Sequence, residues 1–234
     1  MEQASEGIDY FGRGSILTKV QERLSVTARR EMFESWLSFA GKVDRATVLD
    51  VGSTPDRERL DSNCMLPWFH ESGFRLSLYS PEDIDNLRDT FPFAEILPSA
   101  GFGKPIPSAD RAFDWTTASA VLEHVGGVSQ QVDFVKECAR VANGLFLTTP
   151  NRWHWLEFHT KLPFVHWLPR DAHRAVLRRF GYGSWAEESH LRLLDARELG
   201  EVARAALGDS FRFEIRTVSA LGMPSNLVLL AKRV

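Results

Sequence analysis

Thr47-Val48-Leu49-Asp50-Val51-Gly52-Ser53-Thr54-Pro55-Asp56 decides how the chain is read. An apolar, β-branched run ends in an acid, and a glycine and small turn residues follow. A buried parallel strand has this composition where it breaks into a ligand-holding turn. Ligands of open α/β sheets bind beyond the carboxyl ends of the strands. The turn at Gly52 is then the expected small-molecule site, provided that the flanking sequence supplies the other strands and their crossovers.

The flanks have that pattern. Before the strand, Leu17, Val20, Leu24, Ala28, Phe33, Trp36, Leu37 and Ala40 recur at near-helical spacing over residues 15–40. Ser15 is the expected cap and Gly41 the expected stop of this leading helix. Residues 1–14 read as loose. After the strand, residues 56–72 read as helical only in part, and the alternating residues 74–79 as strand two. Ser80-Pro81-Glu82-Asp83 predicts a helix start, with Ile84, Leu87 and Phe91 as its buried stripe and Pro92 at its end. Residues 93–97 form a short third strand, 98–109 a loop rich in Gly and Pro, and 112–118 the fourth strand. Ser129 opens a helix with Val132, Val135, Cys138, Ala139 and Ala142 on one face, closed by Asn143-Gly144. Residues 145–149 are the fifth strand. Strands alternating with single helices imply a parallel sheet with crossovers.

Past Pro150 the pattern breaks into an aromatic segment holding Trp153, Trp155, Phe158, Phe164, Trp167, Phe180, Tyr182 and Trp185. Regularity returns at Asp195-Ala196-Arg197-Glu198, which has the form of a capping box. Leu199, Val202, Ala203, Ala206 and Leu207 stripe that helix, and Gly208 ends it. Residues 211–218 and 227–231 close the chain as an antiparallel pair around a turn at 222–226.

The totals narrow the classes. The 234 residues, 44% hydrophobic, suffice for one sizeable core. A formal charge of −3 lacks the strongly basic signature of a nucleic-acid-binding domain. Cys64 and Cys138 are far apart and form neither a metal-spaced cluster nor a disulfide framework, so a reducing, cytoplasmic setting is expected. Residues 1–14 lack the apolar run of a signal peptide. No stretch approaches the roughly 18 uninterrupted apolar residues of a membrane-spanning helix.

Two further stretches carry a family resemblance. Ile106-Pro107-Ser108-Ala109-Asp110-Arg111-Ala112-Phe113-Asp114-Trp115, continuing through Ser119-Ala120-Val121-Leu122-Glu123-His124-Val125, resembles the "LPF-x-D-x-SFD" and "avLEHv" segments of class I S-adenosylmethionine-dependent methyltransferases. Phe146-Leu147-Thr148-Thr149-Pro150-Asn151-Arg152 resembles the "TPN" turn of their small-molecule-modifying branch. The aromatic continuation over 153–169 looks like an uncharacterised bacterial subgroup of that branch.

The resemblance covers roughly residues 44–232. It implies a Rossmann-like methyltransferase fold: a mostly parallel seven-stranded sheet with an antiparallel last strand and helices on both faces. A tail and leading helix (1–43) would precede a methyltransferase domain (44–232) with an acceptor-side insertion at 151–190. The implied cofactor is S-adenosyl-L-methionine. The implied acceptor is a small molecule or a glycan- or lipid-linked compound.

The resemblance also assigns residues. Asp50 would hold the cofactor's ammonium, and Gly52, Ser53 and the following helix N-terminus its carboxylate. Thr54 and Asp56 stand where the family has further glycines, and Pro55 removes a backbone donor. The ribose-binding acid would fall near Leu78 or Tyr79, so Glu82, or less directly Asp83, is the substitute. Phe102 stands at the adenine-facing position, and Ser119 lines the cleft. Glu123 and His124 would orient the acceptor, with His124 able to take a proton near neutral pH; capping of the following turn accounts for them equally well.

A related quinone-methylating branch places a metal at a "Glu-x-x-Glu-His" site here. Ala120 replaces its first glutamate, so no such metal is expected. His154, Glu157, His159 and His166 form a metal-type cluster by composition, but His154 and His159 are five apart, a poor spacing for one site. Asn151, Arg152, His154, Glu157 and His159 are instead the candidate acceptor-binding residues, and packing of partly buried histidines accounts for them equally well. Residues 152–182 carry six basic side chains (Arg152, Lys161, Arg170, Arg174, Arg178, Arg179) against two acids (Glu157, Asp171) on a Trp-rich stretch. Peripheral membrane contact and a soluble basic lid both fit that pattern. The rival to catalysis is a binding or scaffold protein on the same fold. A nicotinamide enzyme fits less well, because the turn lacks Gly-x-Gly-x-x-Gly spacing.

Overall fold

The computed structural model describes residues 16–41 and 45–234, with side chains from residue 21 onward. The elements run α1 (Ile16–Ala40), β1 (Thr47–Val51), α2 (Met65–Glu71), β2 (Arg75–Tyr79), α3 (Leu87–Thr90), β3 (Ala94–Ile96), β4 (Phe113–Ser119), α4 (Val128–Val141), β5 (Ala142–Pro150), α5 (Arg170–Arg179), α6 (Ala196–Leu207), β6 (Phe211–Ala220) and β7 (Met223–Arg233). The expected cap Ser15, the loose segment 1–14 and the side chains of Leu17 and Val20 lie outside what is described. Gly41 ends α1 at φ +76°, with its N–H on the Leu37 carbonyl at 3.1 Å.

One seven-stranded sheet has the order β3-β2-β1-β4-β5-β7-β6. All pairings are parallel except those of β7, which is antiparallel to both β5 and β6. Alternation along the strands feeds two cores. Leu49, Val51, Leu145, Leu147, Leu227 and Leu229 face α4 and α6. Val48, Leu76, Leu78, Trp115, Phe146 and Val228 face α1 and α2. Helices cover both faces, as a largely parallel sheet requires.

α1 is part of this second core. Trp36 is fully buried and meets Phe69 and Phe74 at 5.0 Å, Trp115 at 5.4 Å and Phe146 at 5.6 Å. The capping box of α6 forms as expected: Asp195 accepts from the Glu198 N–H, and Glu198 reaches back to the Asp195 N–H.

Three expectations are corrected. The turn expected at 222–226 is confined to Leu221-Gly222, because β6 runs to Ala220 and β7 already starts at Met223. The helix expected from Ser80 begins only at Leu87 and is four residues long. Ser80 Oγ accepts from the Glu82 N–H and Asp83 Oδ1 from the Asp85 N–H, so short side-chain turns replace the helix start. Asn143-Gly144 do not close α4, because β5 starts at Ala142. Gly144 lies under Trp115, where a Cβ would come within 2.4 Å of the indole. That glycine makes room for a ring and does not cap a helix.

Candidate functional site

From β1 the chain moves to β2 on one side, and β4 sits on the other with β5 beyond it. The β1/β4 edge is thus the switch point where such sheets bind ligands. Asp50, Gly52, Ser53 and Ser119 all lie there. Asp50 is buried, and Ser53 Oγ donates to its Oδ2 at 2.5 Å. Among the described residues its carboxylate forms no ion pair. Burial pushes its pKa up to about 6, against the smaller opposing effect of the Ser53 bond. Gly52 has φ +90° and donates to the Tyr79 carbonyl at 2.8 Å. A Cβ there would lie 2.5 Å from Val121 Cγ2, so only glycine fits both the conformation and the space.

No helix N-terminus follows this turn, contrary to the sequence expectation. α2 starts only at Met65, and a loop fills the interval. Asn63 braces it, with Oδ1 accepting from the Thr54 N–H at 3.1 Å and Nδ2 donating to the Thr54 carbonyl at 2.8 Å. Pro55 steers Thr54 away from helical backbone angles. Glu82 is exposed beyond β2, and Phe102 is 73% exposed on its loop. Arg29 of α1 carries no sequence mark of a site residue, yet its Nε donates to Ser119 Oγ at 3.3 Å while it pairs with Asp61 at 3.2 Å. Helical periodicity alone gives no sign that this turn of α1 reaches the sheet edge.

One strand along, the turn Leu122–His124 after β4 meets the end of β5. Thr149 Oγ1 donates to Glu123 Oε2 at 2.9 Å. Glu123 is fully buried, and its other oxygen, Oε1, has no hydrogen-bond partner among the described residues. The Glu123 carbonyl accepts from the Arg192 N–H at 2.7 Å, and Gln131 binds both the Leu122 carbonyl and the Arg192 guanidinium. This frame, which the sequence did not reveal, fixes the Glu123-His124 turn.

His124 Nδ1 lies 2.7 Å from the His190 carbonyl. A carbonyl only accepts, so Nδ1 carries the proton. His159 Nδ1 lies 2.5 Å from Glu157 Oε1, whose second oxygen accepts from the Thr160 N–H and hydroxyl at 2.6 and 2.7 Å. The two Nε2 atoms then face each other at 3.2 Å. Burial lowers the pKa of His124, with the Glu123 charge opposing. Burial also disfavours the charged form of His159, but the Glu157 carboxylate outweighs it and raises that pKa. Trp185 walls the pair, 5.0 Å from the His159 ring and 6.0 Å from that of His124.

The remaining candidates knit the insertion to the sheet. Asn151 Nδ2 donates to the Pro224 carbonyl at 3.0 Å, and Arg152 reaches the carbonyls of His166 and Leu168. His154 is buried, with its ring nitrogens 2.9 Å from the Leu156 carbonyl and 3.2 Å from that of Ala220. Of the expected acceptor residues, the structure brings His159 to His124, with Glu157 directly behind it. Arg170, Arg174 and Arg178 pair with Glu198, Glu188 and Glu187. Trp153, Phe164, Trp167, Leu168 and Phe180 remain exposed around them. No helix is long and apolar enough to cross a membrane among the described residues.

No family model and no curated protein matches the chain. Solved structures do. A protein named as a Zn-dependent alcohol dehydrogenase from Rhodobacter sphaeroides superposes with a TM-score of 0.59 at 11% identity, covering 93% of this chain and 99% of that one. A SAM-dependent methyltransferase from Aquifex aeolicus gives 0.57 at 15% identity, covering 95% and 100%. Magnesium protoporphyrin IX methyltransferase from Synechocystis PCC 6803, with bound SAH, gives 0.56 at 14%, covering 96% and 91%. The chain has the Rossmann-like methyltransferase fold. At these identities the likeness is one of fold.

Proposed function

We propose that the chain is an S-adenosylmethionine-dependent methyltransferase acting on a small-molecule or glycan- or lipid-linked acceptor. The observation that carries this reading is Asp50: a buried carboxylate that forms no ion pair among the described residues, at the switch point of a sheet whose solved neighbours include methyltransferases. A charge held this way is costly unless a ligand cation meets it, and the cofactor's ammonium has the required chemistry. When bound, the cofactor supplies a methyl group activated by its sulfonium.

In this reading the chain's residues bind and orient. Asp50, with Ser53 behind it, holds the ammonium. Gly52 leaves its backbone bare, and Arg29 at Ser119 presents a cation to the carboxylate. Glu82 is the acid available to the ribose, and Phe102 lies on the loop assigned to the adenine. Glu123, His124 and His159 form the polar end of the acceptor site, where an acceptor hydroxyl gives up its proton. Trp185 and the segment over 151–167 shield that end from water. Alignment of this kind contributes on the order of several kcal/mol to a displacement.

Isothermal titration of the folded protein with S-adenosylhomocysteine tests the reading. The expected result is one site, with a dissociation constant on the order of 10 μM or tighter. Absence of heat with both this product and S-adenosylmethionine refutes the enzyme reading and leaves the scaffold alternative.

A further inference from the structure

We propose that Glu123, His124 and His159 form a binding site for a divalent first-row transition metal, with zinc as the best-fitting ion. The juxtaposition of Glu123 Oε1 with the two histidine Nε2 atoms carries it: one ligand atom from each residue, all within 4.8 Å of one another.

Three features turn this proximity into a built site. First, both imidazoles are oriented from behind. The His190 carbonyl holds Nδ1 of His124, and the Glu157 carboxylate holds Nδ1 of His159. Metal-binding histidines are held in this way: the second nitrogen donates to a carbonyl or carboxylate, which fixes the ring and leaves Nε2 to the metal. Second, the spacing suits a small ion. Zinc–nitrogen bonds of about 2.0–2.1 Å in a tetrahedron set the two nitrogens roughly 3.3 Å apart, and they are 3.2 Å apart here. Third, Glu123 Oε1 is buried, has no hydrogen bond among the described residues and lies 3.9 Å from His124 Nε2. A buried carboxylate oxygen without a hydrogen bond is a costly arrangement that a bound cation relieves.

The donor set selects the ion. Two imidazoles and one carboxylate suit zinc and its first-row neighbours, whereas magnesium and calcium prefer oxygen ligands. Three protein ligands leave a tetrahedral position for water or an acceptor oxygen, as in catalytic zinc sites. The expectation of no metal rests on Ala120 and on the spacing of His154 and His159. The fold instead brings in His159, from the insertion that follows β5. The proposal does not require methyl transfer, since metal uptake is measured without the cofactor.

The test uses the full-length protein, freed of metal by chelation and shown by its melting curve to remain folded. Titration with Zn2+ or Co2+ alone is expected to give one tight site, and Mg2+ none. Bound Co2+ is expected to show the intense visible bands of a tetrahedral site. His159→Ala and His124→Ala are each expected to weaken Zn2+ binding by about tenfold or more, while His70→Ala on α2 leaves it unchanged. If a variant does not fold, the Co2+ spectrum of the unaltered protein still decides. A folded protein that takes up neither ion overturns the proposal, as does a cobalt spectrum without tetrahedral bands. Zinc binding that folded His124 and His159 variants retain in full also overturns it.

Discussion

Trp36→Ala is expected to destabilise the protein by about 3–5 kcal/mol, the range for deleting a large buried aromatic. The indole is fully buried and joins α1 to α2 through Phe69, and to the sheet through Trp115 and Phe146. At roughly 2–4 °C per kcal/mol for a chain of this size, the melting temperature should fall by about 10 °C. Trp36→Phe should behave differently. The indole N–H is buried without a hydrogen bond among the described residues, so phenylalanine gives up ring area but also removes an unsatisfied donor. A change below about 1.5 kcal/mol is expected. Denaturant unfolding of the three proteins checks both values. A Trp36→Ala variant as stable as the parent contradicts the placement of α1 in the core.

Asp50→Asn is expected to weaken cofactor binding by about 10- to 100-fold, the worth of a charge-assisted contact, and yet to stabilise the protein without ligand. The folded pKa is raised from 3.8 to about 6 by burial. Between those values the folded state holds a proton that the unfolded chain has lost, so this group's contribution to stability falls as pH rises from about 4 to 6. Above pH 6 the buried charge costs about 3 kcal/mol. Asparagine removes that cost, so the variant should melt higher than the parent near pH 7.5 and alike near pH 4. Cofactor affinity has the opposite dependence, because the ammonium needs the ionised acid. It should tighten as pH rises through about 6 in the parent and stay flat over that range in the variant. A variant that loses stability near neutral pH while binding cofactor normally would make Asp50 a structural residue only.

The sheet was legible because buried strands leave a chemical trace. The β-branched run at Val48 to Val51 and the alternation before Tyr79 match the observed strands. So does the Asp195 capping box. Turns were less legible where side chains compete with the helix. Ser80 and Asp83 have the residue types of a helix start, but their oxygens serve local turns. Gly144 reads as a helix stop until Trp115 is placed above it. The site was half legible. Asp50, Gly52 and Ser119 announce themselves at strand ends. Arg29, Gln131, Arg192 and the pairing of His124 with His159 depend on contacts between residues far apart in the chain, and no local pattern encodes these.

A crystal structure of the protein with S-adenosylhomocysteine is the most direct test of the account. The predicted result places the ligand's ammonium in hydrogen-bond contact with Asp50 beside Gly52, and its sulfur facing Glu123, His124 and His159. A ligand bound elsewhere, or a β1/β4 edge still empty at saturating ligand with Asp50 held only by Ser53, would contradict it.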